Sequence, residues 1–455
     1  MVEQISEPQV KIILVLIDGL GDTSHKDLAY KTPLQAATIP YMNAVAYSGI
    51  NGLHDPVQSG LACGSDTAHM QLFGYNPIKL YNGRGAFETM GAGVDMSYDD
   101  IAFKCNFAYV NDDTGIVERR RVDREFHWGV SLCDDLNDLK IPGYEEYIVK
   151  CEYATEHRCG LKVTGKRLSS QITGTDPLKD YKRLLECYPT DEQDQASIHT
   201  AKLVNALSGE IRRILSNHEI NLKRKALGLP YTNLLLLRGC GQRLNVKTFE
   251  ETHGLKSFML APTAIIRGTG MTFGMSLHEV EGATGSYDSN LNNKALKAIK
   301  LLAQDQYDFG FLHVKAVDDA GHDKNLQWKV TQLEKVDAAV KILVEGLDKL
   351  SDENHQYIVC ITGDHTTPII YGDHTFEPVC ITMSLASNIA SHFRQEQKQC
   401  KIQEKLLHIR DNVTLFNEID CSSHEAALGR YSAKDTISTL KRMQKLVKDV
   451  LQSSQ

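Results

Sequence analysis

Short, almost wholly apolar runs recur along the chain, and each gives way abruptly to glycine and charge. Val10 to Ile17 has almost no polar interruption, as expected of a parallel strand covered on both faces. Tyr357 to Thr362 and residues 309 to 315 read the same way, as do IAFKCNFAYV at 101 to 110 and TNLLLLRGCG at 232 to 241. Between them lie helical patterns at Ser197 to Leu215, Asn290 to Gln304 and Asp435 to Leu451. A longer helix is predicted where Leu326, Val330, Leu333, Val336, Val340, Leu343 and Leu347 recur in steps of three and four; that stripe is core-facing and carries no functional message. Strand and helix alternation predicts an α/β fold, a mostly parallel sheet with helices on both faces.

The residues just past the strands are chemically alike. The first run ends in Asp18-Gly19-Leu20-Gly21. After the run at 309 to 315 comes a polar loop in which Asp318 and His322 stand four apart, a spacing that lets both face one cation. Gly363 breaks the third run and is succeeded at once by Asp364 and His365, with His374 nine residues further on, beyond Pro368 and Gly372. Ligands of open α/β sheets gather outside the carboxyl ends of the strands, so these acids and imidazoles are placed to hold metal. Each has a plainer reading: Asp18 as a helix cap or turn former, Asp318 with His322 as a helix surface pair, Asp364-His365 as a capped turn. Ser65, among Gly60, Ala62, Cys63, Gly64 and Ala68, is either an ordinary helix cap or a nucleophile whose small neighbours admit substrate.

Composition changes from about residue 78 to 256, a segment long enough to be a second domain inserted into the first. YNGRGAFETMGAG, near its start, reads as a hinge or crossing point. Arg119, Arg120, Arg121 and Arg124 form a run that is either a solvated face or a bidentate clamp for a carboxylate or phosphate. Arg238, at the carboxyl end of a leucine run, is a substrate contact or a charged exit from the core. Arg267 follows a strand near Phe258. Ser387 to Arg410 is polar and charged and is expected to be a surface excursion.

Charge and cysteine usage narrow the class. With 50 basic against 58 acidic residues, a formal charge of −8 argues against a nucleic-acid binder, although metal and arginines can still set a local field for an anionic substrate. Eleven cysteines without a CxxC pair indicate neither a zinc ribbon nor a disulfide framework, and point to a reducing compartment. MVEQISEPQVK lacks the basic and apolar regions of a secretory signal, and runs such as IILVLI are too short to span a bilayer, so a soluble cytoplasmic protein with no membrane partner is expected. The oxygen and nitrogen ligand set, without thiolate, favours manganese, magnesium, cobalt or zinc, and seven such residues including Ser65 suffice for two ions.

The order DG, GSD, D-x-x-x-H, DH and a late His resembles the alkaline phosphatase superfamily of metalloenzymes. TPLQAATIP, SGLACGSDTAHMQLFGYNP, GRGAFETMGAG, KCNFAYV, LLLLRG, EGATGSYDSNLNNKA, AGHD and TGDHTTP make the chain similar to the archaeal-type branch of the cofactor-independent (2,3-bisphosphoglycerate-independent) phosphoglycerate mutases, from about residue 10 to about 445. That resemblance implies interconversion of 3-phosphoglycerate and 2-phosphoglycerate through a phosphorylated Ser65, with manganese foremost among the metals. One metal would be held by Ser65, Asp18, Asp364 and His365, and the other by Asp318, His322 and His374. It implies a discontinuous catalytic domain, 1–77 with 257–455, and an inserted substrate domain, 78–256, that encloses glycerate. Arg119, Arg120, Arg124, Arg238 and Arg267 would contact substrate. The alternative on the same metal core is a phosphatase, or a phosphotransferase to another small alcohol.

Overall fold

A computed structural model describes residues 7–123, 126–394 and 405–453. Fourteen strands, numbered along the chain, are β1 Gln9–Ile17, β2 Ile50–Asp55, β3 Ile101–Val110, β4 Ile116–Arg119, β5 Ile148–Thr155, β6 Arg158–Thr164, β7 Lys182–Arg183, β8 Leu234–Gln242, β9 Ser257–Leu260, β10 Ser276–Leu277, β11 Phe309–Val314, β12 His355–Thr362, β13 Val379–Leu385 and β14 Gly429–Ser432. The chain divides into two compact units: Met1–Lys79 with Lys247–Thr263 and Phe273–Gln455, and Leu80–Val246 with Ala264–Thr272. Among the described residues no helix is long and apolar enough to cross a membrane.

The first unit holds an eight-stranded sheet in the order β10-β9-β11-β1-β12-β13-β2-β14. All pairings are parallel except those β13 makes with β12 and β2. β1 sits centrally between β11 and β12, which is why eight of its nine residues are buried. Strand periodicity sends Ile13, Val15 and Ile17 into one core, shared with the helices Pro40–Tyr47, Leu291–Leu302 and Leu326–Leu350. Ile12, Leu14 and Leu16 face the other way. On that side Phe311 packs edge-on to Phe73 and His69, and the helix Thr436–Gln452 buries Ile437, Leu440, Met443, Val447 and Leu451.

Register sets the position of the chemistry. Ile17 pairs with Val314, and Leu16 pairs with Thr362, so β1, β11 and β12 end level. Residues just beyond those ends therefore emerge along one edge. Asp18 continues the parity of Leu16, whose partner on β11 is His313, and both side chains lie on the face that the helix Ser65–Leu72 covers.

In the second unit β5-β6-β3-β4-β7 form one path, and β8 pairs with β3. The helix Gln195–Asn217 is capped by Asp194, whose carboxylate accepts from the amides of Ala196 and Ser197.

The fold corrects or sharpens four expectations. In the glycine-rich stretch, expected as a hinge or crossing point, the chain has just entered the second unit at Leu80, and Gly85–Gly91 is a helix packed against the helix Ala264–Thr272. A Cβ on Gly91 would lie 1.7 Å from the Ala264 carbonyl, and one on Gly268 would lie 1.8 Å from that of Phe87, so these glycines permit backbone contact between the helices. Arg267 follows a strand, β9, as expected, and rides on the helix Ala264–Thr272 of the second unit. Arg238 is not at a strand end but is the fifth of nine residues in β8, beside a bulge between its pairing with Lys104 and that of Gly241 with Ala102. The segment from 387 begins as a buried helix, Ala386–Ser391, in which Ser387 donates to Gln356 and Asn388 to the Leu406 carbonyl, while Asn388 Oδ1 is buried with no hydrogen-bond partner among the described residues. Residues 395–404 of that segment, and Arg124 of the arginine run, lie outside the described residues.

Candidate metal centre

Three connections from the level strand ends converge in the first unit. Asp18 directly follows β1. Asp318 and His322 lie on Ala316–His322, which is a helix rather than the expected polar loop, and the four-residue spacing puts both on one face. Asp364 and His365 follow β12, and His374 returns from the turn beyond. The fit is close enough to dictate sequence. Gly19 adopts φ +65°, and a Cβ there would sit 2.7 Å from the Asp318 Cα. Its amide donates to Asp364 Oδ1 at 3.1 Å.

All seven predicted residues are brought together. His365 Nε2 lies 3.4 Å from Asp18 Oδ1, 3.2 Å from Asp364 Oδ2 and 3.1 Å from Ser65 Oγ. His322 Nε2 is 3.3 Å from Asp318 Oδ2, His374 Nε2 is 3.6 Å from Asp318 Oδ1, and the two Nε2 atoms are 3.2 Å apart. The rings of His365 and His374 stack at 3.6 Å. Ligand atoms of Asp318, His322 and His374 lie within 4.8 Å of one another, as do those of Asp18, Asp318 and His365. Asp318 belongs to both groups and so joins two candidate cation positions. Ser65 is the first residue of its helix, with Gly64 as the cap, so it is not the capping serine.

Charge balance tests whether cations fit. Asp18, Asp318 and Asp364 are each at most 1 % exposed, and among them lies one ammonium, that of Lys315. With all three ionised, one ammonium leaves two buried negative charges, a costly arrangement unless protons or cations are taken up. Asp18 Oδ1 and Asp364 Oδ2 are buried with no hydrogen-bond partner among the described residues. The titration directions tell the same story. Burial, with the charges of Asp18 and Asp318, pushes Asp364 well above the usual carboxylate range. Burial opposes ionisation of Asp18 and Asp318 too, but Lys315, together with His313 at Asp18 and with His322 and His374 at Asp318, outweighs it and holds both low. Burial also disfavours a charged His374, yet contact with Asp318 prevails and raises it to about 9. Burial takes His365 down to about 3, leaving a neutral imidazole able to ligate. The protein draws protons to where cations are wanted, and the oxygen-nitrogen donor set suits hard or borderline divalent metals.

Several supporting residues escaped the sequence reading. His313 Nε2 lies 3.1 Å from Asp18 Oδ2, and the Lys294 ammonium donates to the His313 carbonyl at 2.7 Å. Thr367 Oγ1 donates to Asp318 Oδ1 at 2.7 Å. Lys329, fully buried on the helix read as featureless, pairs with Asp22 at 2.9 Å and donates to the carbonyls of Gly21 and Thr367. Its ammonium therefore ties the connection after β1 to the one after β12. A charge inside an apolar strand (His313) or at its end (Lys315) was the available signal.

The arginines divide differently. Within the second unit, Arg120 grips Asp176 in a bidentate pair at 2.7 and 2.6 Å, and Arg238 Nε lies 3.8 Å from the same carboxylate. Lys104, opposite Arg238 in the sheet, pairs with Glu88 at 2.7 Å, as does Arg84 at 3.1 Å. Four cations thus cluster around two acids and leave an excess of positive charge. Arg84 and Lys104 were missed. Arg119 and Arg121 are exposed, and Arg267 is half-buried on its own helix.

The chain is similar to known proteins over most of its length. The family model described as 2,3-bisphosphoglycerate-independent phosphoglycerate mutase matches residues 46–221. A protein of that name from Saccharolobus solfataricus is 37% identical over 375 residues, covering 82% of this chain and 88% of its own. Another, from Methanopyrus kandleri, is 35% identical over 437 residues, covering 95% and 96%. Among solved structures, a cofactor-independent phosphoglycerate mutase from Thermoplasma acidophilum aligns with TM-score 0.64 and 30% identity over 95% of this chain and 99% of that one. A protein from Pyrococcus horikoshii aligns with TM-score 0.74 and 28% identity over 97% and 98%.

Proposed function

Because the chain belongs to the 2,3-bisphosphoglycerate-independent phosphoglycerate mutase family, we propose that it interconverts 3-phosphoglycerate and 2-phosphoglycerate through a phosphoserine at Ser65. The observation that carries this mechanism is a single hydroxyl, Ser65 Oγ, set 3.1 Å from His365 Nε2, which itself lies 3.4 and 3.2 Å from the buried carboxylates of Asp18 and Asp364. Ser65, Asp18, Asp364 and His365 would hold one divalent ion, and Asp318, His322 and His374 the other. Bound there, such ions supply Lewis acidity that favours the serine alkoxide and offsets charge on a phosphoryl oxygen. Manganese is the first choice, with magnesium, cobalt and zinc as alternatives.

Ser65 Oγ attacks the phosphorus of 3-phosphoglycerate in line, the bond from phosphorus to the C3 oxygen breaks, and that oxygen takes a proton to leave glycerate. The C2 hydroxyl of the same glycerate then gives up a proton, attacks the phosphoserine and restores Ser65. Lys315 and His313 orient the Asp18 carboxylate throughout, while Thr367 holds that of Asp318. In the second unit Arg120 and Arg238, fixed by Asp176, are the substrate contacts with the best support. Arg119, Arg124 and Arg267 are assigned to the same task. Water must be kept from the phosphoserine, or the enzyme becomes a phosphatase. A cytoplasmic location accords with a small glycolytic substrate and reduced cysteines.

The test is a coupled mutase assay without bisphosphoglycerate, run after chelation and re-addition of each metal, with free phosphate measured in parallel. Isomerisation restored by manganese without phosphate release supports the proposal. Phosphate release without isomerisation, or full activity after chelation, contradicts it.

A further inference from the structure

A second set of metal-ligand side chains lies wholly within the second unit. Cross-strand register assembles it. Cys159 on β6 stands opposite Cys105 on β3. Cys151 on β5 stands opposite Leu161, two residues along from Cys159 and therefore on the same face of the sheet. The helix Gly129–Leu136 packs on β5 and brings Cys133 to that face, its Sγ 3.4 Å from that of Cys151. The Sγ atoms of Cys133, Cys151 and Cys159 lie within 4.8 Å of one another, while the Cys105 thiol, on the neighbouring strand, donates to the Phe103 carbonyl at 3.6 Å and lies outside that group. All four are at most 2 % exposed, in a core shared with Phe107, Phe126 and Leu132.

Zinc–thiolate bonds of about 2.3 Å place tetrahedral sulfurs about 3.8 Å apart. That separation falls between the 3.4 Å of the closest pair and the 4.8 Å limit of the trio. An all-sulfur donor set selects thiophilic d10 cations over the harder ions suited to the centre beside Ser65. A site shut off from water by an apolar core is of the structural rather than the catalytic kind. We propose that Cys133, Cys151 and Cys159 form a structural site for such a cation, zinc(II), with the Cys105 thiol at its edge, and that the ion staples the helix Gly129–Leu136 to the sheet. As each sulfur–metal bond forms, the thiol proton passes to solvent, so neither oxidant nor reductant is consumed.

The full-length protein, produced under reducing conditions with cobalt(II) in place of zinc, supplies the test. Dialysis against a chelator strips oxygen-nitrogen sites first. Stoichiometric cobalt that survives, with an intense near-ultraviolet thiolate-to-cobalt charge-transfer band, is the expected result. The acids and imidazoles beside Ser65 cannot give that band. Cys151→Ser and Cys159→Ser should each abolish it. Cys187→Ser, at a thiol of the same unit that donates to the Thr173 carbonyl, should leave it intact. If the cluster variants fail to fold, the wild-type spectrum decides alone. Absence of both retained metal and band means the four thiols merely pack, and overturns the proposal. Mutase activity enters none of these readouts, so this inference and the proposed mechanism fail separately.

Discussion

Ser65 Oγ lies 3.1 Å from His365 Nε2, although 300 positions separate the two in the chain. One stands at the first turn of a helix laid across the sheet, the other just past the end of a central strand. Only the level ends of β1, β11 and β12 bring them together, so the fold's register is itself part of the site. Removing the hydroxyl tests how much chemistry depends on that meeting. Ser65→Ala should lower kcat by about a thousand-fold or more while leaving the circular dichroism spectrum and thermal midpoint unchanged. Retention of most activity in the coupled assay would count against a nucleophilic serine.

Metal uptake should depend on pH with a defined sign. In the metal-free protein His374 is raised to about 9 and Asp364 lies well above the usual carboxylate range, so both hold their protons more tightly than free groups do. A cation must displace them. Below about 9, binding therefore releases protons and tightens as pH rises, by about tenfold per unit for each proton displaced. Titration calorimetry in buffers of different ionisation enthalpy counts those protons. An affinity flat between pH 6 and 9 would contradict the charge balance described for the centre.

The backbone at Gly19 admits no side chain. Its φ of +65° is strained for other residues, and a Cβ would press on the Asp318 backbone. Gly19→Ala should cost about 1–3 kcal/mol in denaturant unfolding, and should also weaken metal binding by displacing Asp318. Wild-type stability and affinity in that variant would show that the approach is loose.

Lys329 neutralises Asp22 inside the fold while bridging two site-forming connections. Lys329→Met strands a buried carboxylate and should cost about 3–5 kcal/mol. The double variant with Asp22→Asn should recover much of that loss, because no unpaired charge remains. A double-mutant cycle without coupling would remove the bridging role.

The arginines should separate kinetically. Arg120 and Arg238 converge on Asp176, whereas Arg119 is exposed. Arg120→Ala and Arg238→Ala should raise KM by about 30–100-fold, the worth of lost charge-assisted hydrogen bonds, with Arg119→Ala much milder. Equal effects in all three would favour a diffuse electrostatic field over specific contacts.

Ligand types and strand ends were legible because both obey local rules: a buried parallel strand reads as an apolar run, and an acid after it is conspicuous. What the chain order hides is long-range. Lys329 looks like one more charge on an amphipathic helix until its ammonium is seen between the Gly21 and Thr367 carbonyls. The glycines at 91 and 268 suggest flexibility when taken singly, yet they let two helices about 170 residues apart touch. Arg238 looked like a strand end because the glycines after it imitate a turn, whereas β8 runs through them beside a bulge. The four cysteines carry no spacing signal, since three come from separate strands and one from a helix.

The most direct measurement is phosphopeptide mapping of acid-quenched enzyme turning over 3-phosphoglycerate with its metal. Phosphate on the peptide containing Ser65, formed fast enough to carry turnover and absent from Ser65→Ala, is the predicted result. Sustained isomerisation with no phosphate at Ser65 at any quench time would contradict it.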